Sequence, residues 1–252
     1  MKVFLSAVEG TAPRSALLSI IDKVKFKYNL MSYYYIKQNN DEDFAVKIRN
    51  NSELVIIDSG AHSFQKGKHV DWVEYTKEYA EWIKQFDRPN VVGYFEMDVD
   101  NIIGYDKVLE LRKILESASD KIIPVWHKNR GLEDFKKMCK DYSGKVIAIT
   151  GFKNEDIKDE QYLMFLKYAR KYNCKVHCLG MTRKKILDKV PFDFSDSSSW
   201  LQHTIYGRSL DGRKLPKMKG EEDRKNQFAH NYLLAMKMQE YYYNKWRKIN
   251  KD

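Results

Sequence analysis

Three carboxylates in this sequence directly follow short, mainly apolar runs. Asp58 ends the run LVIID, Asp98 follows VVGYFEM, and Asp196 comes just after a run that begins at Phe192. A carboxylate at the end of a buried strand is costly unless it is paired or used. Two such groups facing each other can split a glycosidic bond, because one attacks the anomeric carbon while the other donates and later accepts a proton. The same groups could instead hold a divalent cation.

Short β-rich runs alternate with longer helical runs about eight times along the chain. Regular alternation implies parallel strands joined by right-handed crossovers. Eight such units in 252 residues fit a closed (β/α)₈ TIM-type barrel of the α/β class. We predict a first helix from about 16 to 24, a long C-terminal helix from about 221 to 248, and strands over 3–7, 30–36, 54–58, 91–98, 122–127, 146–150, 176–179 and 192–195.

An open, doubly wound sheet is the competing architecture. It usually carries a Gly-rich first turn, and the segment from Glu9 to Ala12 is a poor version of one. No linker rich in Pro, Gly or Ser divides the chain. We therefore predict one barrel domain over residues 1–252.

In such a barrel the catalytic residues lie at the carboxyl ends of the strands. The residues at or just after the predicted strand ends are therefore candidates for the active site: Asp58, Ser59, Gly60, Glu96, Asp98, Asp100, His127, Thr150, Gly151, Gly180 and Asp196. Three strands are thus expected to bring a carboxylate to the same mouth, which favours a functional site there. Phe64 or Trp126 could stack on a bound base, although either could equally belong to the core.

The formal net charge of +10 suits a polyanionic partner, since clustered Lys and Arg release counterions when they meet phosphates. A lysine-rich surface that only keeps the protein soluble is the alternative. No apolar run approaches the ~18 residues that a membrane span needs, and the N-terminus does not read as a secretory signal. We therefore expect a cytoplasmic protein without a membrane partner.

The three cysteines, Cys139, Cys174 and Cys178, argue against a disulfide framework. Cys174, His177 and Cys178 could be metal ligands, but no second ligand pair follows at zinc-finger spacing. On a strand, Cys174 and Cys178 share one face and His177 lies on the other. We expect buried thiols.

Five segments between about residues 54 and 215 resemble, in order, the motifs of a known family. They are DSGAHSFQ from Asp58, FEMD ending at Asp98, ITGF around Gly151, HCLG from His177, and DSSSW from Asp196 followed by IYG and DGR. The chain resembles the tRNA-guanine transglycosylase superfamily of queuine- and archaeosine-type enzymes. It looks most similar to the small phage relatives that put 7-deazaguanines into DNA.

This resemblance implies an enzyme that exchanges guanine for a 7-deazaguanine through a covalent aspartyl-sugar intermediate. It implies Asp196 as the nucleophile, Asp58 as the general acid and base, and Asp98 as the acceptor of the guanine N1 and N2 hydrogens. Asp193 is a rival nucleophile. The base would be bound further by Ser59, Gly60, His127, Gly151, His177 and Gly180. The phosphates would be held by Arg183, Lys184, Arg208 and Arg213, with Lys66 and Lys68.

The sequence also departs from the family pattern. One residue is inserted in the DSG motif, and Thr150-Gly151 stands where the family has two glycines. The tRNA enzymes bind a structural zinc through three cysteines and a histidine after the nucleophile strand, whereas no cysteine follows Asp196. We therefore expect no zinc or other cofactor, and DNA rather than tRNA as the acceptor, with a free 7-deazaguanine base as second substrate.

Two further readings of the strand-end carboxylates stay open. A barrel metallohydrolase would use Asp58, Asp98 and Asp196 as cation ligands. A non-catalytic nucleic-acid-binding barrel would use only the basic surface. The phage resemblance would place the protein in the host cytoplasm.

Overall fold

Nine parallel strands form a nearly closed barrel surrounded by helices in the computed structural model, which describes residues 1–64, 70–150 and 157–250. The strands are β1 (Lys2–Leu5), β2 (Phe26–Ser32), β3 (Ser52–Asp58), β4 (Val91–Phe95), β5 (Ile122–Ile123), β6 (Val125–Trp126), β7 (Val146–Thr150), β8 (Lys175–Leu179) and β9 (Phe194–Ser197). Their order in the sheet is β5-β4-β3-β2-β1-β9-β8-β7-β6. Because β5 and β6 adjoin in sequence, the two ends of this order meet.

Pro124 divides the fifth strand of the barrel into β5 and β6, since proline has no N–H to give to a sheet. Ile122 and Ile123 pair with β4, whereas Val125 and Trp126 pair with β7. The Val125 N–H donates instead to Oε1 of Glu96 at 2.6 Å. The nine strands therefore correspond to the eight predicted units, and the predicted barrel is confirmed.

Alternate residues of the strands face the inside of the barrel, as the pleat of a strand requires. The interior cluster contains Phe4, Tyr28, Leu30, Ile56, Phe95, Ile123, Val125, Ala148 and Phe194. The same alternation continues to the strand ends. Asp58, two residues after Ile56, and Asp196, two residues after Phe194, are therefore the last inward positions of β3 and β9.

The outer layer is built from helices that bury one face on the sheet. They are α1 (Thr11–Leu18), α2 (Tyr33–Asn39), α3 (Glu42–Asn51), α4 (Trp72–Phe86), α5 (Asp100–Ile103), α6 (Tyr105–Glu116), α7 (Gly131–Asp141), α8 (Tyr162–Lys171), α9 (Lys184–Leu187), α10 (Ser199–Ile205) and α11 (Glu221–Asn250). Within the described ranges, no helix combines the length and apolarity that a membrane span requires.

The C-terminal helix α11 completes this layer by packing on α1, α10 and the barrel itself. The side chain of Gln239 is buried, and its Nε2 donates to the carbonyls of Val3 at 2.7 Å and Tyr28 at 2.6 Å. It thus bridges β1 and β2, whose backbones pair at Leu5 and Asn29. The predicted long C-terminal helix is therefore confirmed and is part of the barrel.

Two predicted elements differ from the structure: part of one predicted strand is a helix, and one predicted helix begins earlier in the chain. The strand expected over 30–36 ends at Ser32, and α2 begins at Tyr33. Tyrosines favour strands, but the Tyr33 ring stacks on Tyr79 at 4.7 Å, and Ile36 is buried one helical turn later. The first helix, expected over 16–24, begins earlier, at Thr11, with Pro13 in its first turn, where proline is tolerated.

Asn231 of α11 fixes the turn that follows α10. Its Nδ2 donates to Thr204 Oγ1 at 2.7 Å and to the carbonyl of Arg208 at 2.9 Å, and its Oδ1 accepts from the Leu210 N–H at 3.0 Å. We expect Asn231→Leu to lose all three hydrogen bonds and to lower the free energy of unfolding by about 2–4 kcal/mol.

Denaturant unfolding at equilibrium measures this loss. Asn226→Leu is the matched control, because Asn226 is exposed on the same helix and makes only a 3.5 Å hydrogen bond to Glu222. Equal stability of the two variants would contradict the role assigned to Asn231.

Candidate active site

Asp196 is an inward-facing residue of β9 rather than a residue beyond the strand. Its Oδ1 accepts from the backbone N–H of Gly180 at 2.7 Å and lies 3.0 Å from Nε2 of His177. Since an ionised carboxylate only accepts, Nε2 is the ring nitrogen that carries the hydrogen. Both donors use the same oxygen, so among the described residues Oδ2 has no hydrogen-bond donor. His177 and Gly180, predicted to bind the base, thus contact the predicted nucleophile.

His177 is fully buried inside the barrel, between the rings of Phe4 and Phe95. Its position on β8 follows from the alternation of that strand, which turns Cys174 and Cys178 outward into the packing between sheet and helices. Both cysteines are buried and free, as predicted. The imidazole has little room to move, so it holds Asp196 in one orientation.

Asp193, the rival nucleophile, lies at the opposite end of β9. Its carboxylate accepts from the Val176 N–H at 2.9 Å near the amino end of β8, and Arg170 is 3.7 Å away. Its carbonyl accepts from the Lys2 N–H at the amino end of β1. The amino ends of parallel strands are remote from the mouth that receives Asp58 and Asp196. The geometry therefore favours Asp196.

Asp58 ends β3, and its Oδ1 accepts from the Gly60 N–H at 2.6 Å. Gly60 has φ +76°, a conformation that L side chains rarely adopt, and it packs directly on Tyr34. The Ser59 hydroxyl is buried and donates to the carbonyl of Glu96 at 2.9 Å. Ser59 thus ties the end of β3 to the end of β4, and Gly60 shapes the turn that holds Asp58.

Asp98 lies beyond β4 and forms a pair with His127, which follows β6. His127 Nε2 lies 2.7 Å from Asp98 Oδ1. Burial is the largest single effect and opposes a charge on His127, but the hydrogen bond to Asp98 and the nearby negative charges together outweigh it, and the pKa of His127 is raised. The chain therefore brings these two predicted base-binding residues together at one side of the mouth.

Arg130 was not among the predicted site residues, yet it organises this side of the mouth. Its side chain is 3% exposed, its Nε donates to Asp100 at 3.0 Å, and its Nη2 lies 3.6 Å from Asp98. It also donates to the carbonyl of Val125 and lies over the Tyr105 ring at 4.1 Å. An arginine in a short 3₁₀ turn carries no pattern by which the sequence could have marked it.

Asp98, Asp100 and His127 are also close enough to share a cation, with ligand atoms within 4.8 Å of one another. The guanidinium of Arg130 already contacts both carboxylates, so a divalent ion there would face a neighbouring positive charge. Among the described residues, Asp58 and Asp196 do not belong to this group. The three cation ligands expected of a metallohydrolase are therefore not brought together.

Glu9 is a buried carboxyl at the mouth that the sequence did not single out. It is 3% exposed, and its Oε1 accepts from the N–H of Ser32 at the end of β2. Burial raises the pKa of Glu9 to about 7, and the charge of Asp58 adds to this effect. The signal missed in the sequence was an acidic residue shortly after the first strand.

The predicted phosphate-binding cations differ in how they are paired. Arg183 forms an ion pair with Asp159 and donates to the Tyr162 hydroxyl, and Arg213 lies 2.6 Å from Asp211. Lys184 and Arg208 are exposed, and within the described ranges neither has a carboxylate partner. Gly151, Lys66 and Lys68 lie outside the described residues.

The two aromatic residues considered for stacking pack within the protein. Trp126 is 1% exposed and contacts Phe135 and Phe165 in the outer layer. Phe64 makes edge contacts with Tyr34, Trp72 and Tyr75. The described part of the mouth therefore takes its character from carboxylates and histidines.

Comparison with known proteins leaves the family open. No family model matches the chain, and no curated protein matches it. A solved structure titled "Structural study of Project ID from Aquifex aeolicus VF5" is similar, with a TM-score of 0.49 and 10% identity over 92% of this chain and 93% of that chain. A likeness at this level identifies neither a family nor an activity, so the transglycosylase resemblance stays a prediction.

Gly60 and Gly104 provide a matched test of the turn that holds Asp58. Both have positive φ, but a Cβ on Gly60 would lie 2.1 Å from Cβ of Tyr34, whereas nothing lies within 4 Å of one on Gly104. We expect Gly104→Ala to cost about 1 kcal/mol through its backbone conformation. Gly60→Ala should cost about 2 kcal/mol more because of overpacking. Thermal and denaturant unfolding measure the loss of stability in each variant. Equal losses would show that the turn accommodates a Cβ at Gly60 without a clash.

Proposed function

We propose that this protein is a base-exchange transglycosylase that replaces guanine in nucleic acid, preferably DNA, with a 7-deazaguanine. The observation that carries the proposal is the environment of Asp196. His177 and Gly180 hold one of its oxygens, while the other has no donor among the described residues. A carboxylate fixed in this way at a barrel mouth is suited to attack an anomeric carbon.

In the first half of the reaction, Oδ2 of Asp196 attacks C1′ of the target nucleotide, and the bond from C1′ to the guanine nitrogen breaks. Asp58 donates a proton to the leaving base. The sugar is then esterified to Asp196, and the phosphodiester backbone stays intact. In the second half, a 7-deazaguanine enters, gives its ring proton to Asp58, and attacks C1′ to release Asp196. The double displacement retains the configuration at C1′.

Asp98 supplies the preference for guanine in this proposal. Guanine offers hydrogens on N1 and on its 2-amino group, and a carboxylate can accept both, whereas adenine has no hydrogen on N1. His127 contacts Oδ1 of Asp98 at 2.7 Å and so fixes the orientation of this carboxyl group. Arg130 places a positive charge 3.6 Å from the same oxygen.

The target nucleotide must leave the base stack to reach the mouth, at a cost of a few kcal/mol. Contacts to the flanking phosphates can offset this cost. The turn after α10 offers exposed cations, including Arg208, Lys214 and Lys217. Met218, Lys219 and Gly220 of the same turn line a groove with Thr11 and Ala12, which begin the helix after β1.

Base exchange with labelled guanine tests the proposal directly. Duplex DNA, single-stranded DNA and bulk tRNA are offered separately in the presence of a chelator. We expect label to enter DNA, and Asp196→Asn to lower the rate at least about 10⁴-fold, as loss of a nucleophile does. Asp193→Asn is the matched control, since an asparagine can still accept from Val176 and the residue lies at the far end of the barrel.

Four outcomes would contradict parts of this proposal. Full exchange by Asp196→Asn would remove the nucleophile, and label entering only tRNA would replace the acceptor. Loss of exchange on chelation would favour metal chemistry. Binding with steep salt dependence, unaffected by Asp58→Asn and without exchange of guanine or of a 7-deazaguanine, would favour a non-catalytic nucleic-acid binder.

Arg208 and Arg183 give a second prediction about the acceptor. We expect Arg208→Gln to reduce the slope of log affinity against log salt by about 0.9 for duplex DNA, the loss of one phosphate contact. Arg183→Gln should change the slope less, because Arg183 is already paired with Asp159. Titrations of fluorescent DNA at several salt concentrations measure both slopes. A larger change of slope in Arg183→Gln than in Arg208→Gln would contradict the choice of Arg208 as the phosphate contact.

A further inference from the structure

Glu9 is a buried carboxyl with no part in the exchange steps above. It follows β1, which lies between β2 and β9 in the sheet. Asp196 belongs to β9, and Asp58 ends β3 on the far side of β2. The strand order therefore brings Glu9 to the mouth in the sector between the proposed nucleophile and the proposed acid.

The contact that fixes Glu9 is made to the strand residue that lies next to Asp58. Its Oε1 accepts from the N–H of Ser32, and Ser32 is the residue that pairs with Asp58 across β2 and β3. Neighbouring strands lie about 4.8 Å apart. The Ser32 hydroxyl is buried and has no hydrogen-bond partner within the described ranges. Glu9 and Asp58 thus both adjoin Ser32, whose buried hydroxyl can still bond.

Among the residues that the structure describes, none provides a positive charge that balances Glu9. Within the described ranges Glu9 has no ion pair, and Arg14 of the following helix is paired with Asp41 at 2.7 Å. From α4, the Tyr75 and Tyr79 hydroxyls approach this end of β3, donating to the carbonyls of Ser59 and Ile57. Asp58 itself carries a negative charge that affects Glu9. Two neighbouring carboxyls, of which Glu9 is buried and Asp58 is partly buried, cannot easily both be ionised.

The backbone before Glu9 is held in an unfavourable conformation. Ala7 has φ 63°, in the left-handed region, which costs a non-glycine residue about 1 kcal/mol. This turn separates the end of β1 from the segment that carries Glu9. The chain therefore keeps an unfavourable backbone conformation in the turn that places Glu9 at the mouth.

We propose that Glu9 is a positioning residue that shares one proton with Asp58 and so keeps Asp58 supplied as an acid at neutral pH. The inference rests on the proposed function. An aspartate alone would be ionised well below pH 7 and could not protonate a leaving base. The raised pKa of Glu9, about 7 and caused chiefly by burial, agrees with a retained proton.

The proton balance closes over one cycle. At rest the two carboxyls hold one proton between them. When the bond to guanine breaks, this proton leaves on the departing base, and both groups are carboxylates while the sugar is attached to Asp196. The incoming base then gives its ring proton to Asp58, which restores the shared proton. No other acid or base is consumed.

A ¹³C NMR titration of the glutamate carboxyls tests the shared proton without reference to activity. The Glu9 signal is assigned by its loss in Glu9→Gln, which keeps an oxygen that can accept from Ser32. We expect a midpoint near pH 7 in the unaltered protein. In Asp58→Asn the midpoint should move to lower pH. A Glu9 midpoint near the ordinary glutamate value, unmoved by Asp58→Asn, would overturn the proposal.

The pH profile of guanine release in a single turnover tests the consequence for Asp58. We expect the unaltered protein to lose rate only above about pH 7, whereas Glu9→Gln should lose rate from about pH 4 upward, as an isolated aspartate would. Near pH 7.5 the variant should be slower by about 10³-fold, which is the difference in protonated fraction between an acid with pKa about 7 and an ordinary aspartate. Glu9→Asp should recover part of the rate, and Glu53→Gln, an exposed change at the amino end of β3, should leave it unchanged.

The two experiments separate the inference from the proposed function. A Glu9→Gln profile that matches the unaltered protein would overturn the inference while leaving the exchange reaction in place. If no nucleic acid supports exchange, the proposed function fails, and the titration still decides whether Glu9 and Asp58 share a proton.

Discussion

The barrel depends on closing its parallel sheet at a strand that contains a proline. A closed sheet needs hydrogen bonds on both sides of each strand, and Pro124 removes a donor from the fifth. At this break the N–H of Val125 donates to the carboxylate of Glu96 rather than to a neighbouring strand. The same buried carboxylate is ion-paired with Arg112 and lies 3.8 Å from Arg130. A charge buried in this way is tolerated only because it is paired and hydrogen-bonded.

This arrangement links the fold to one side of the mouth. Arg130, placed between Glu96 and the loop after β4, also contacts Asp98 and Asp100. The residues that close the sheet are therefore the ones that orient the Asp98 and His127 pair. On the opposite side, β8 and β9 hold Asp196 with no help from this network. The nucleophile and the base-recognition group of the proposed reaction are thus positioned by different hydrogen-bond networks.

The sequence predicted the barrel and the inward carboxylates because both follow from periodicity. Asp58 and Asp196 stand two residues beyond buried apolar residues, so strand alternation alone places them at the mouth. The sequence could not predict that His177 and Gly180 would both donate to one oxygen of Asp196, since these contacts depend on the register of β8 against β9. Arg130 and Glu9 were missed for a similar reason, because each becomes part of the site only when distant segments are brought together. Tyr33 was misassigned because packing on α4 overrides its strand preference.

Capture of the sugar intermediate tests the central claim most directly. The protein is mixed with guanine-containing DNA in the absence of an incoming base, quenched in denaturant, and digested, and the peptide bound to the strand is identified by mass spectrometry. The account predicts an ester on Asp196 that disappears in Asp196→Asn and persists in Asp193→Asn. An adduct on Asp193 or on another residue, or exchange at full rate with no adduct, would contradict it.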